Sequence, residues 1–86
     1  MLRTVQNRPN PYKEETTIAF VLPKAGPTQL LITDISGRQI RLIEQYYEAG
    51  YHEVNIDKAM LGVSGVLMYQ LSTSDNHAVR KMVVLE

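Results

Sequence analysis

The stretch Thr28–Gly37, with the sequence TQLLITDISG, decides the fold. Its first half alternates, so Thr28, Leu30 and Ile32 would lie on one face of a β-strand and the residues between them on the other. Its second half ends in Asp and Ser followed by Gly37, which stands where a four-residue turn needs a positive φ. A strand that runs into such a turn predicts an antiparallel sheet.

The same pattern recurs about every dozen residues along the chain. Apolar side chains alternate with others in seven short runs, separated by Gly, Pro, Asp and Asn. The runs are Leu2–Gln6, Thr17–Leu22, Thr28–Thr33, Gln39–Tyr46, His52–Ile56, Leu67–Leu71 and Met82–Val84. Seven strands in 86 residues predict an all-β fold, a seven-stranded antiparallel immunoglobulin-like β-sandwich.

The run Gln39–Glu48 also allows a helical interpretation. Ile40, Ile43 and Tyr47 stand at positions i, i+3 and i+7, as on one face of a helix. The run is rich in Ile, Tyr and Arg, has no helix cap and lies between two turn sequences, so the strand is favoured. The break in alternation at Ile43 then predicts a β-bulge at that residue.

Length and charge restrict the class of protein. The 86 residues make one small domain. Nine basic and nine acidic side chains give a formal net charge of zero, which argues against general nucleic-acid binding and against electrostatic docking on anionic lipid. The sequence predicts neither a membrane-spanning segment nor a signal peptide.

Residue types that carry enzyme or metal chemistry are scattered. Gly62–Gly65 approaches a nucleophile elbow around Ser64, but its second glycine comes one residue early, so Ser64 is predicted to be a turn residue. His52 and His77 have no ligand spacing, and His52 is predicted to be a half-buried strand residue with one hydrogen-bond partner. We therefore expect no catalytic residue, no metal site and no cofactor.

Three tyrosines cluster near a turn. Tyr46, Tyr47 and Tyr51 flank Ala49-Gly50. They would either form an exposed patch suited to carbohydrate or protein contact, or pack over one end of the sandwich.

Six short motifs follow one another along almost the whole chain. They are the P-N-P-Y sequence in Asn7–Tyr12, a strand ending in Leu-Pro in Thr16–Pro23, D-x-x-G-R in Leu30–Arg38, A-G-x-H-x-V in Ala49–Val54, S-G-V-x-x-Y-x-L in Ser64–Leu71 and K-M-V in Arg80–Val84. In this order and spacing they resemble the type A C-terminal sorting domain of the type IX secretion system, also called the Por secretion system. Ile56 and Leu67 depart from the family pattern, which usually has Trp and Tyr there.

The resemblance implies a non-catalytic signal that directs a periplasmic precursor through the type IX translocon to the cell surface or medium. Its implied partners are that translocon, a surface sortase-like peptidase that cuts upstream of the domain, and a cargo domain N-terminal to it. Nucleic acid, direct membrane insertion and cofactors are not implied. Residues 1–86 would be a single domain excised from a larger precursor, with residues 1–15 as an N-terminal strand and a proline-rich lead-in. Leu85-Glu86 matches a common cloning addition, so it is expected to be non-native.

The family pattern also places candidate site residues. It implies recognition through the last two strands, by Gly65, Val66, Tyr69, Leu71, Lys81, Met82, Val83 and Val84. Structural motif positions are Pro9, Asn10, Pro11, Asp34, Gly37, Arg38, Gly50 and His52. A receptor could add a strand to the edge of the terminal pair. The alternatives are an accessory immunoglobulin-like structural domain, as in flagellar hook-capping proteins, and a carbohydrate-binding module.

Overall fold

Seven strands and one helical turn follow one another along residues 2–86, which a computed structural model describes in full except for the side chain of Val5. The elements are β1 (Arg3–Arg8), β2 (Glu15–Leu22), β3 (Gly26–Asp34), β4 (Gln39–Tyr47), β5 (Gly50–Asp57), α1 (Lys58–Leu61), β6 (Gly65–Ser72) and β7 (His77–Val84). Each predicted run corresponds to one strand. Within this part of the chain, no helix has the length and apolar character needed to cross a membrane.

The strands form two antiparallel sheets. One has the order β1-β2-β5 and the other the order β4-β3-β6-β7. The predicted immunoglobulin-like sandwich is therefore confirmed. In the constant-type arrangement the fourth strand belongs to the sheet of the first two, whereas β4 pairs here with β3 in the opposite sheet. β1 runs back along β2, with Arg3 opposite Val21 and Arg8 opposite Thr17.

The core lies between the two sheets and is built from alternate residues of the strands. The buried apolar side chains of β2, β3, β5, β6 and β7 are Ile18, Phe20, Leu22, Leu30, Ile32, Ile56, Leu67, Tyr69, Leu71, Met82 and Val84, with Ala19 also buried. Each large one contributes ~1.5–3 kcal/mol to folding. Because the chain has no cysteine, this packing carries the stability without disulfides.

β4 carries a bulge at Ile40 rather than at Ile43, so the predicted position was wrong. Ile32 pairs with Arg41, but the next residue of β3 pairs with Gln39, which leaves Ile40 without a partner. The extra residue changes the phase of the strand, and both Ile40 and Ile43 pack against the core. The three-residue spacing that suggested a helix therefore comes from a bulged strand.

The D-x-x-G-R sequence forms the turn between β3 and β4 and is held by hydrogen bonds within the turn. One carboxylate oxygen of Asp34 accepts hydrogen bonds from the Ser36 hydroxyl at 2.6 Å, the Ser36 N–H at 3.0 Å and the Arg38 N–H at 3.0 Å. The hydrogen bond from the Ser36 hydroxyl is the main reason that the pKa of the Asp34 carboxyl is lowered. Gly37 has φ of +90°, the left-handed conformation that the turn was predicted to need.

Replacing Gly37 with alanine is expected to lower the free energy of unfolding by ~1–2 kcal/mol, because a Cβ is strained at this φ. The melting temperature should fall by roughly 4–8 °C per kcal/mol. Gly26→Ala is the matched control, since a Cβ at either glycine meets no atom within 4 Å, and of these two glycines only Gly37 has positive φ. Equal melting temperatures for the two variants would show that the turn tolerates a side chain.

Candidate recognition surface

The predicted recognition residues divide between the two faces of the β6–β7 hairpin. Tyr69, Leu71, Met82 and Val84 face the core, and each is at most 2% exposed. In the folded domain these four shape the hairpin from inside and are out of reach of a partner. Gly65, Val66 and Lys81 are exposed and Val83 is half-buried, so these are the residues that a partner can contact.

An apolar patch covers the outer face of the four-stranded sheet around these residues. Strand pairing sets Val66 beside Val83, Met68 beside Lys81 and Leu31 beside Leu42, and Val79 lies two residues from Lys81 on the same face. Val66, Val79 and Leu42 are 42%, 50% and 37% exposed. We call Leu31, Leu42, Val66, Met68, Val79, Lys81 and Val83 the outer patch. Exposed apolar side chains grouped in this way make the outer patch the candidate interaction surface of the domain.

Four members of the outer patch are not among the recognition residues predicted from the sequence, namely Leu31, Leu42, Met68 and Val79. A signal was present in β3, where Leu31 occupies an outward position between the core residues Leu30 and Ile32. In a strand with one face in water such a position is usually polar, so an apolar residue there points to a second buried or bound face.

Lys81 supplies the charge of the outer patch. Its side chain is exposed, and the ion pairs of residues 2–86 are Lys24 with Asp75 and Arg38 with Asp34. The Lys81 ammonium is therefore not paired within the described chain. A cation among apolar side chains selects partners with an acidic group opposite it, because charge mainly sets partner choice and encounter rate.

The edge of β7 that faces away from β6 is covered by the segment Gln6–Tyr12, which we call the clasp. Strand addition, the predicted mode of recognition, needs free backbone groups on that edge. The clasp already bonds them through four hydrogen bonds: Tyr12 N–H to Val83 O at 2.9 Å, Leu85 N–H to Tyr12 O at 2.8 Å, Val83 N–H to Asn10 Oδ1 at 2.8 Å and Gln6 Nε2–H to Lys81 O at 2.8 Å. In this conformation the C-terminal half of β7 is closed to a further strand.

Two buried residues fix the clasp to the sandwich. Tyr12 and Asn7 are each 1% exposed. The side-chain amide of Asn7 donates through Nδ2 to the Thr16 hydroxyl at 3.0 Å, and the backbone N–H of Asn7 donates to the Tyr69 hydroxyl at 3.1 Å. Burial, with Asp57 nearby, raises the pKa of Tyr12. The proline-rich lead-in, with cis peptide bonds before Pro9 and Pro11, is thus packed against the domain rather than linker-like.

The tyrosine cluster at the other end of the sandwich is split. Tyr47 packs with its ring centroid 5.2 Å from that of Phe20 and 4.8 Å from that of His52. His52 is half-buried and its Nε2 lies 2.6 Å from the Glu48 carbonyl oxygen, which confirms the predicted single hydrogen-bond partner. Tyr46 and Tyr51 are exposed but belong to different sheets, so they do not form one stacking platform within a sheet.

Three further glycines of the described chain have positive φ at the ends of helices or strands. Gly62 ends α1 with φ of +69° and Gly65 opens β6 with φ of +104°, so Ser64 lies between two turn glycines as predicted. Gly50, at φ of +115°, opens β5. Across residues 2–86 no three His, Cys, Asp or Glu side chains are grouped so as to hold a metal ion.

The fold and its outer patch define an immunoglobulin-like domain with apolar side chains exposed on one sheet. The family model described as the secretion system C-terminal sorting domain matches residues 8–85. The chain belongs to this family, the C-terminal sorting domains of the type IX secretion system, which confirms the resemblance seen in its six motifs. It is a sorting signal for secretion to the cell surface or medium. Neither the curated proteins nor the solved structures gave a match.

Proposed function

We propose that this domain is a non-catalytic sorting signal that the type IX translocon binds through the outer patch while the clasp is closed. The observation that carries the proposal is the placement of the unpaired Lys81 ammonium among exposed apolar side chains of β6 and β7. Apolar area supplies affinity in such a contact, and the single charge supplies discrimination between partners.

Membership of the family supports the rest of the proposed route. A cargo domain precedes this one in the precursor, which passes through the periplasm before it meets the translocon. A sortase-like peptidase at the surface then cuts upstream of the domain and separates the cargo from its address. The domain itself needs no cofactor for this role, because the translocon binds it and the peptidase cuts the chain upstream of it.

A reporter fusion tests the address. A signal peptide, a fluorescent protein and residues 1–86 would be joined in that order and expressed in a bacterium with a working type IX system. We expect most of the reporter at the surface or in the medium, and in the periplasm when the translocon is deleted. Periplasmic retention of a folded fusion in the competent strain would contradict the proposal. A fusion without residues 1–86 controls for leakage.

A further inference from the structure

The four backbone groups that the clasp bonds lie on one edge. In an antiparallel pair, alternate residues direct their N–H and C=O groups away from the partner strand. In the C-terminal half of β7 and just after it these residues are Lys81, Val83 and Leu85, and all three are bonded to the clasp. An edge strand with such groups free is a template for pairing with another chain.

The clasp forms hydrogen bonds with the backbone groups of this edge, as an added strand would. Tyr12 forms a parallel bridge with Val84, so the clasp runs in the same direction as β7. The remaining two contacts come from the side chains of Gln6 and Asn10, of which Asn10 is exposed and Gln6 half-buried. Asn10 can be altered without touching a buried residue, whereas Gln6 also donates to Oδ1 of the buried Asn7 at 2.6 Å and Tyr12 is itself buried.

An uncovered β7 would be suited to a second copy of this chain. Two identical edge strands can pair antiparallel about a two-fold axis, because each offers the other the same row of donors and acceptors. The exposed Val79 and the half-buried Val83 of one copy would then lie next to Val79 and Val83 of the other. The two outer patches would form one continuous surface. Apolar burial would add to the new backbone hydrogen bonds.

We propose that Gln6–Tyr12 is an intramolecular clasp that closes β7 to strand addition by a second copy of this chain. The clasp keeps the domain monomeric and leaves only the outer face of β7 for a receptor to contact. Asn10 acts here as a positioning residue through one acceptor atom, since its Oδ1 holds the Val83 N–H. The closed clasp is part of the proposed function, but its tests use residues 1–86 alone and do not depend on export.

Residue-resolved hydrogen exchange tests whether the clasp is closed. The Val83 amide should exchange far more slowly than the Val79 amide, which lies on the same edge beyond the clasp. A hydrogen bond of ordinary strength corresponds to about a fivefold change in an equilibrium, so Asn10→Ala should speed exchange at Val83 by about that factor and leave Val79 unchanged. Asn10→Asp keeps the acceptor and should restore protection. Equal exchange at Val79 and Val83 in the unaltered chain would overturn the proposal.

Light scattering after size exclusion tests what the clasp prevents. Gln6→Ala/Asn10→Ala should form a dimer whose fraction rises with concentration, while the unaltered chain stays monomeric. Gln29→Ala/Asn55→Ala is the matched control, because these two exposed amides also each make a side-chain hydrogen bond, at other strands. A monomeric double variant with a fast-exchanging Val83 amide would overturn the proposal, as would a dimer of the control or of the unaltered chain. If the double variant does not fold, the single variant Asn10→Ala is measured in its place.

Discussion

Lys81→Glu is expected to reduce export of a fused reporter at least tenfold and to leave the domain folded. The side chain is exposed and makes no ion pair within the described residues, so its charge adds little to stability. A glutamate in its place would oppose any acidic group that a receptor sets against the outer patch, and like charges brought together across an interface cost several kcal/mol. Its backbone oxygen would still accept the hydrogen bond from Gln6.

The measurement is the fraction of reporter outside the periplasm, taken together with the melting temperature of the isolated domain. Surface substitutions of this kind shift the free energy of unfolding by about 0.5 kcal/mol or less. Lys13→Glu is the matched control, since it reverses the charge of another exposed lysine that makes no ion pair within the described residues, in the β1–β2 connection and outside the outer patch. Normal export of a folded Lys81→Glu variant would remove Lys81 from the recognition surface. Loss of the fold would mean that its side chain faces the core.

Met82→Ala is expected to act on stability, in contrast to Lys81→Glu. The variant should lose its fold, and export of the reporter should fall because the fold is lost. Met82 is 0% exposed and lies opposite Leu67 between the sheets. Large-to-alanine changes at such positions cost about 2–5 kcal/mol, out of a total stability of roughly 5–15 kcal/mol for a domain. The melting temperature should therefore fall by about 10 °C or more.

Denaturant unfolding checks this second expectation, with Val79→Ala as the control. Val79 belongs to the same strand, but its side chain is half exposed on the other sheet face. Its truncation should change the free energy of unfolding by about 0.5 kcal/mol or less. A Met82→Ala variant that melts like the unaltered chain would show that β7 contributes little to the core. The recognition role of the hairpin would then need a different structural basis.

The strands and the core could be predicted because alternation reports burial directly. Ile18, Phe20 and Leu22 repeat with period two, and all three are buried as that pattern requires. The bulge at Ile40 could not be placed, since one unpaired residue changes the phase without leaving a residue type that marks it. The helical turn Lys58–Leu61 is too short to show a period of its own.

The candidate site was harder to predict than the fold. Family motifs run straight along β6 and β7, so they combine residues of both faces, although alternation alone already sets Lys81 on the face opposite to Met82, and burial agrees with it. The clasp has no local signature, because it joins Asn10 to Val83 through a side chain and a backbone amide that are distant in the sequence. Its prolines and asparagine are typical of a loop, and pairing with a remote strand is a tertiary effect.

The course of β1 along β2 has a consequence for what can be attached to the domain. Arg3 lies beside Val21, near the end of β2, whereas Val84 meets Tyr12 beyond the opposite end of that strand. A passenger joined ahead of Arg3 would therefore be attached at the end of the sandwich away from Val66 and Val83, whereas Arg80, hydrogen-bonded to Thr4, holds the middle of β7 near that point. Passengers of different sizes would then be held farther from Val66 and Val83 than from Lys81 and Val79.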